Sequence, residues 1–161
     1  VINPDYMFRK SAWLVGLTLV TLVSCNKDKL ATKPSLKLKS IGPTLVSNGE
    51  SLTINLEFAD LEGDISDTVY VEKIRINKQS TATVRNFLEL AVPAVPNPTR
   101  GNIILSLGFQ THLVSAIDPP VISLNPLVLE NDSLILKMRL RDQAGHYSDT
   151  LTTPLIVVNR N

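Results

Sequence analysis

Cysteine occurs once in the 161 residues, at position 25, so no disulfide can close within the chain. Histidine occurs twice, at His112 and His146. With a single thiol and two scattered imidazoles, a structural or catalytic zinc site lacks ligands. Neither histidine sits in a catalytic motif, and none of Ser106, Ser115 and Ser148 lies in a G-x-S-x-G elbow. No glycine-rich phosphate loop is present. Charge is also sparse: 19% of residues are Asp, Glu, Lys or Arg, below the usual quarter. These absences argue against an enzyme, leaving an unrecognised envelope hydrolase as the reading any catalytic role would need.

What the sequence does have begins at its N-terminus. Met7 reads as the natural start, with residues 1–5 as an upstream artefact. Arg9 and Lys10 precede a charge-free run over residues 11–24 that is rich in Leu and Val. Such a run is too short to span a bilayer, which takes about 20 residues, but has the length of a secretory h-region. It ends in Leu22-Val23-Ser24-Cys25, which resembles the lipobox of bacterial lipoproteins. The resemblance implies a helical signal peptide over residues 1–24 and cleavage between Ser24 and Cys25. It also implies diacylglycerol on the Cys25 sulfur and acylation of the new amino group. Each buried methylene contributes about 0.8 kcal/mol, so two or three chains on one residue make a stable anchor for a protein that never crosses the membrane.

Removing the first 24 residues takes away Arg9, Lys10 and Asp5. Of the 16 basic and 15 acidic residues, 14 of each then remain, a net charge of zero. Nucleic acid is a poor partner for such a domain, because phosphate binding needs a basic footprint. Residues 25–34 are polar without periodicity and read as a flexible tether. In the sorting rules of such lipoproteins, Asp directly after the cysteine retains the protein at the inner membrane. Asn26 therefore implies the outer membrane, on its periplasmic face or at the surface.

Residues 35–161 alternate with the period of two that strands require. Leu36 and Leu38 alternate with lysines, Leu52, Ile54, Leu56 and Phe58 with polar residues, and Leu134, Leu136, Met138 and Leu140 with Ile135, Lys137, Arg139 and Arg141. Ile103, Leu105 and Leu107 give another strand, and residues 155–158 a terminal one. Val69, Val71, Ile74 and Ile76 also suit a strand, but their parity changes after Val71, which predicts a bulge. Residues 86–90 are the one brief helix candidate. Prolines make residues 91–100 and 118–120 loops. Apolar stretches beside proline, at residues 92–95 and 124–129, read as loops over the sandwich ends or as an exposed partner-binding patch. The expected fold is all-β, an antiparallel β-sandwich of about seven strands.

Residues 58–69 can be laid on residues 140–151. Asp60, Gly63, Ser66, Asp67 and Thr68 then match Asp142, Gly145, Ser148, Asp149 and Thr150. Asp bonding to the backbone ahead of it, with Gly at positive φ, predicts two equivalent turns in one sandwich. The stretch from Met138 to Thr150 resembles the late hairpin of bacterial immunoglobulin-like and cadherin-like domains, with His146 where Asn is usual. The only tryptophan is Trp13, so the Cys-Trp-Cys core of an antibody domain is excluded.

The leading expectation is a lipid-anchored envelope protein, a non-enzymatic binding or structural module whose partner is an envelope protein or a glycan. The alternative is a calcium-stabilised, adhesion-like module. Asp60, Glu62, Asp64 and Asp67 lie close together, and hard oxygen ligands suit calcium. Asp142 and Asp149 could join them if the two turns share one end of the sandwich. The candidate ligand set is Asp60, Glu62, Asp64 and Asp142. Turn-forming Asp at strand ends explains the same residues without a metal.

Overall fold

The computed structural model describes residues 32–79, 84–92, 99–115, 119, 121–124 and 126–161. The expected signal peptide, Cys25 and most of the tether lie outside these residues, as do residues 93–98. Strand β1 (Ser35–Gly42) pairs with β3 (Ser51–Ala59), and β3 with β6 (Arg100–Gly108), in a three-stranded antiparallel sheet. The second sheet runs β2 (Leu45–Val46), β11 (Ile156–Val158), β9 (Asp132–Asp142), β4 (Ile65–Arg75) and β5 (Val84–Ala91). Strand β10 (Leu151–Thr152) also pairs with β9. It is separated from β11 by Pro154, which has no donor for the ladder. All pairs are antiparallel except β11 with β2. A separate hairpin joins β7 (Val121–Leu124) and β8 (Leu127–Leu129).

The period-two reading holds along the longest strands. In β3 the buried residues are Leu52, Ile54, Leu56 and Phe58, and in β6 they are Ile103, Leu105 and Leu107. Strand β9 buries Leu134, Leu136, Met138 and Leu140 and exposes or half-exposes the residues between. These side chains, with Val69, Val71, Val46, Ile156 and Val158, form one core between the two sheets. The fold is an all-β sandwich. Opposite Phe58, β6 carries Gly101, where an added Cβ would come within 2.7 Å of the ring. Glycine lets Phe58 lie flat across the neighbouring strand.

Three expectations of local structure are corrected. Residues 86–90 belong to strand β5 rather than a helix. Residues 124–129 are not loop but largely the β7–β8 hairpin, with Leu124 and Leu127 exposed. Strand β4 keeps its parity past Val71: Val69 to Arg75 pairs with β9 residue by residue, and its register shift lies between Ile65 and Val69. The core-facing positions after Val71 are Lys73 and Arg75, both buried. Ile74 lies on the other face, opposite Ile135.

The two buried cations of β4 are held by acceptors, as burial demands. The Lys73 ammonium donates to the carbonyls of His112, Leu113 and Val114 at 2.7, 3.1 and 3.2 Å. These carbonyls end a five-residue π-turn, Phe109–Leu113, which follows β6 and buries Phe109 and Leu113. One lysine thus ties the second sheet to the end of the first. Burial holds its pKa below the ordinary value of 10.5. At the head of β9, the Asp132 carboxylate is fully buried and accepts from Arg75 at 3.3 Å and Arg160 at 3.1 Å.

Candidate metal centre

The opposite end of β9 closes on the acidic turns. Asp142 is the last inward position of the strand, one register step past Leu140, so strand parity alone carries its carboxylate into the sandwich end. Asp60 follows β3 in the same way after Phe58. Both are about 1% exposed.

The two turns repeat one set of bonds. The Asp60 Oδ2 accepts the Asp64 backbone N–H at 3.0 Å, and the Asp142 Oδ1 accepts the His146 N–H at 2.7 Å. Gly63 and Gly145 have φ of 68° and 96°, the left-handed region that favours glycine. The turns lie side by side: Ile65 pairs with Asp142, and the Gln143 N–H donates to the Asp64 carbonyl at 2.9 Å. The equivalence expected from the internal similarity is therefore a geometric fact.

The difference between the turns lies in the second carboxylate oxygen. Asp142 Oδ2 faces the His146 ring at 2.9 Å. Burial by itself would raise the Asp142 pKa, but the backbone and ring of His146 and the Gly145 N–H hold it below the usual carboxylate value. The corresponding Asp60 Oδ1 is buried and has no hydrogen-bond partner, and neither has Asp64 Oδ1. Burial, together with the neighbouring Asp64, pushes the Asp60 carboxyl above its usual value. Among the described residues no ion pair reaches Asp60, Glu62 or Asp64.

Asp60, Glu62, Asp64 and Asp142 each bring one oxygen to within 4.8 Å of the others. Calcium holds oxygens at 2.3–2.6 Å, so ligands on opposite sides of the ion sit about 5 Å apart and the cluster fits that span. Asp60 and Asp142 form the buried floor, Asp64 is half-buried and Glu62 is exposed at the mouth. The structure brings together the four residues named from the sequence and leaves out Asp149. That side chain is 92% exposed and pairs with Lys33 at 2.7 Å. The side chain of Asp67 lies outside the described residues. The residues that sequence reasoning missed are the β4 cations, Lys73 and Arg75, whose inward positions are visible only once the register of β4 on β9 is known.

The chain enters the sandwich at this same end. Ser35, the first residue of β1, pairs with Ala59, next to Asp60. Among the described residues no helix is long and apolar enough to cross a membrane.

No family model matches the chain, and no curated protein matches it. Solved structures give distant likenesses. The sporulation control protein Spo0M of Bacillus subtilis aligns at TM-score 0.44 and 12% identity over 81% of this chain and 51% of its own. A beta-glucosidase of Listeria innocua aligns at TM-score 0.40 and 14% identity over 79% of this chain and 16% of its own. The SrpA adhesin of Streptococcus sanguinis, in a mutant form, aligns at TM-score 0.35 and 15% identity over 80% of this chain and 57% of its own. The chain therefore spans between a sixth and three fifths of these proteins, at a similarity that assigns it neither activity nor ligand.

Proposed function

We propose that this protein is a lipid-anchored envelope module, non-enzymatic, whose tether-proximal end is closed by a bound calcium ion. The lipid anchor rests on the sequence of residues 7–25. The calcium reading is carried by one observation: two carboxylate oxygens, Asp60 Oδ1 and Asp64 Oδ1, are buried without a partner inside a four-acid cluster. Burying such an oxygen unpaired is costly. A cation would satisfy both at once and neutralise carboxylates that, among the described residues, no lysine or arginine pairs with. Four acids converging on one point, in two turns that share a bond pattern, suit a cation better than an acid–base pair. The ion would clasp the β3–β4 turn to the end of β9 and stiffen the end of the sandwich nearest the anchor. The sandwich would then present its far loops and outer faces to an envelope partner.

Two measurements test this. Calcium binding to the folded state alone raises stability by about 2.7 kcal/mol at a hundredfold excess over Kd. Thermal melting of the mature domain in calcium, against the same protein in chelator, should show that rise. Asp60→Asn keeps the turn's acceptor and removes the charge, and should abolish the calcium response. Equal melting with and without calcium would sink the metal reading. For the anchor, a fatty-acid analogue should label the wild type and not Cys25→Ala; equal labelling refutes lipidation at that residue.

A further inference from the structure

The chain after Cys25 carries five aromatic residues: Phe58, Tyr70, Phe87, Phe109 and Tyr147. Phe58 and Phe109 are in the core. The other three all fall on one surface, the outer face of the β5–β4–β9 sheet. Tyr70 and Phe87 sit on neighbouring strands, where Tyr70 pairs with Glu89 and Glu72 with Phe87. They are therefore diagonal neighbours, about 7–8 Å apart in such ladders. Tyr147 bridges to Arg141 at the end of β9, and its ring meets Tyr70 edge-on at 5.7 Å. Arg139 and Arg141 stand over the Tyr147 ring at 5.3 and 5.5 Å. The result is a diagonal strip of rings crossing three strands. Phe87 is 78% exposed, an unusual placement for a large apolar side chain flanked by charges.

A trough of about 700 Å³ lies along the Phe87–Tyr70 part of this strip, lined by Tyr70, Glu72, Phe87, Glu89, Lys137 and Arg139 among others. Its charged lining is two carboxylates and two cations, which cancel. Glu72 is further held by Arg85 at 2.8 Å. Such a lining repels neither sign and attracts neither, so it disfavours a polyanion and a polycation alike. It does offer carboxylate acceptors on β4 and β5 and cationic donors on β9, beside the exposed Phe87 ring and the half-buried Tyr70 ring. A ligand that matches must be neutral, extended, apolar on one face and rich in hydroxyls at its edges. From this balance we infer that the trough is a binding site for a neutral oligosaccharide, with Phe87 and Tyr70 stacking on sugar rings and Glu72, Glu89, Lys137 and Arg139 bonding to hydroxyls.

The test is calorimetric titration of the mature domain with cellohexaose, xylohexaose, maltohexaose, laminarihexaose and chitohexaose, with a sulfated heparin hexasaccharide as the charged comparison. Chelator is present throughout, so the result is independent of the calcium site. At least one neutral sugar should bind, and Phe87→Ala should weaken it by about tenfold or more. The melting temperature of Phe87→Ala should stay that of the wild type, because the ring is mostly in solvent. Three results would overturn the assignment: no neutral sugar binding, unchanged affinity in Phe87→Ala, or preference for the sulfated sugar.

Discussion

Asp132→Ala should destabilise the domain by roughly 3–5 kcal/mol, the range seen when one partner of a buried ion pair is removed. The carboxylate is fully buried and binds two guanidiniums, Arg75 at 3% and Arg160 at 9% side-chain exposure. The Asn77 amide also reaches Asp132 Oδ1, at 3.5 Å, and its carbonyl accepts the Ser133 N–H at 2.9 Å. The substitution therefore removes the carboxylate that two buried cations share at the head of the central strand β9. Urea unfolding followed by circular dichroism measures the loss, and a cost below about 1 kcal/mol would show the network to be dispensable. Replacing all three together, Asp132→Leu with Arg75→Met and Arg160→Met, should recover much of the stability, since apolar replacement of a complete buried ionic network is often neutral. Failure of that recovery would mean that hydrogen-bond geometry, rather than charge balance, sustains this end of the sandwich.

The second large effect belongs to Lys73. Lys73→Met keeps most of the side-chain volume and removes the donor to three carbonyls. Hydrogen bonds to charged groups are worth about 1.5–3 kcal/mol, and stranded acceptors add their own cost, so a loss of roughly 2–4 kcal/mol is expected. Amide exchange should accelerate first in residues 109–114, the segment the ammonium holds. Uniform exchange across the domain would refute that local role. The pH dependence has a definite sign. Burial lowers the Lys73 pKa, so the folded state binds this proton less tightly than the unfolded chain. Its contribution is complete above the unfolded value and is lost as pH falls through the folded one. The stability gap between wild type and Lys73→Met should therefore widen as pH rises towards the ordinary lysine value of 10.5. A gap that narrows over that rise contradicts a desolvated ammonium.

These two residues also mark where the sequence stops being readable. Strand β9 is legible because its apolar side chains fall on alternate positions over its whole length, and a single register satisfies them all. The same rule misplaces the second half of β4. Counting Lys73 and Arg75 as solvent-facing forces Ile74 inward and calls for a bulge that the strand does not contain. Their partners are the carbonyls after His112 and the carboxylate of Asp132, some forty to sixty residues away along the chain, and no local pattern announces them. The π-turn is hidden for the same reason, since Lys73 satisfies its carbonyls from another strand. The acidic cluster is easier to see. Asp-x-x-Gly dictates where each Asp and Gly point, and the matched spacing of the two turns put Asp60 and Asp142 in equivalent places. Asp149 shares that repeat but lies beyond the turn, where it meets Lys33 instead of the cluster.

The position of β11 has a consequence for how the domain is made. This strand of residues 156–158 is not an edge: it fills the slot between β9 and β2, pairing with Leu45 and Val46 more than a hundred residues earlier. Loop closure over that separation is entropically slow, and the sheet stays gapped until it happens. Without residues 156–158, β9 and β2 would face each other across an empty slot. Such a slot exposes two unpaired strand edges, which a strand of another chain could enter before the protein's own does.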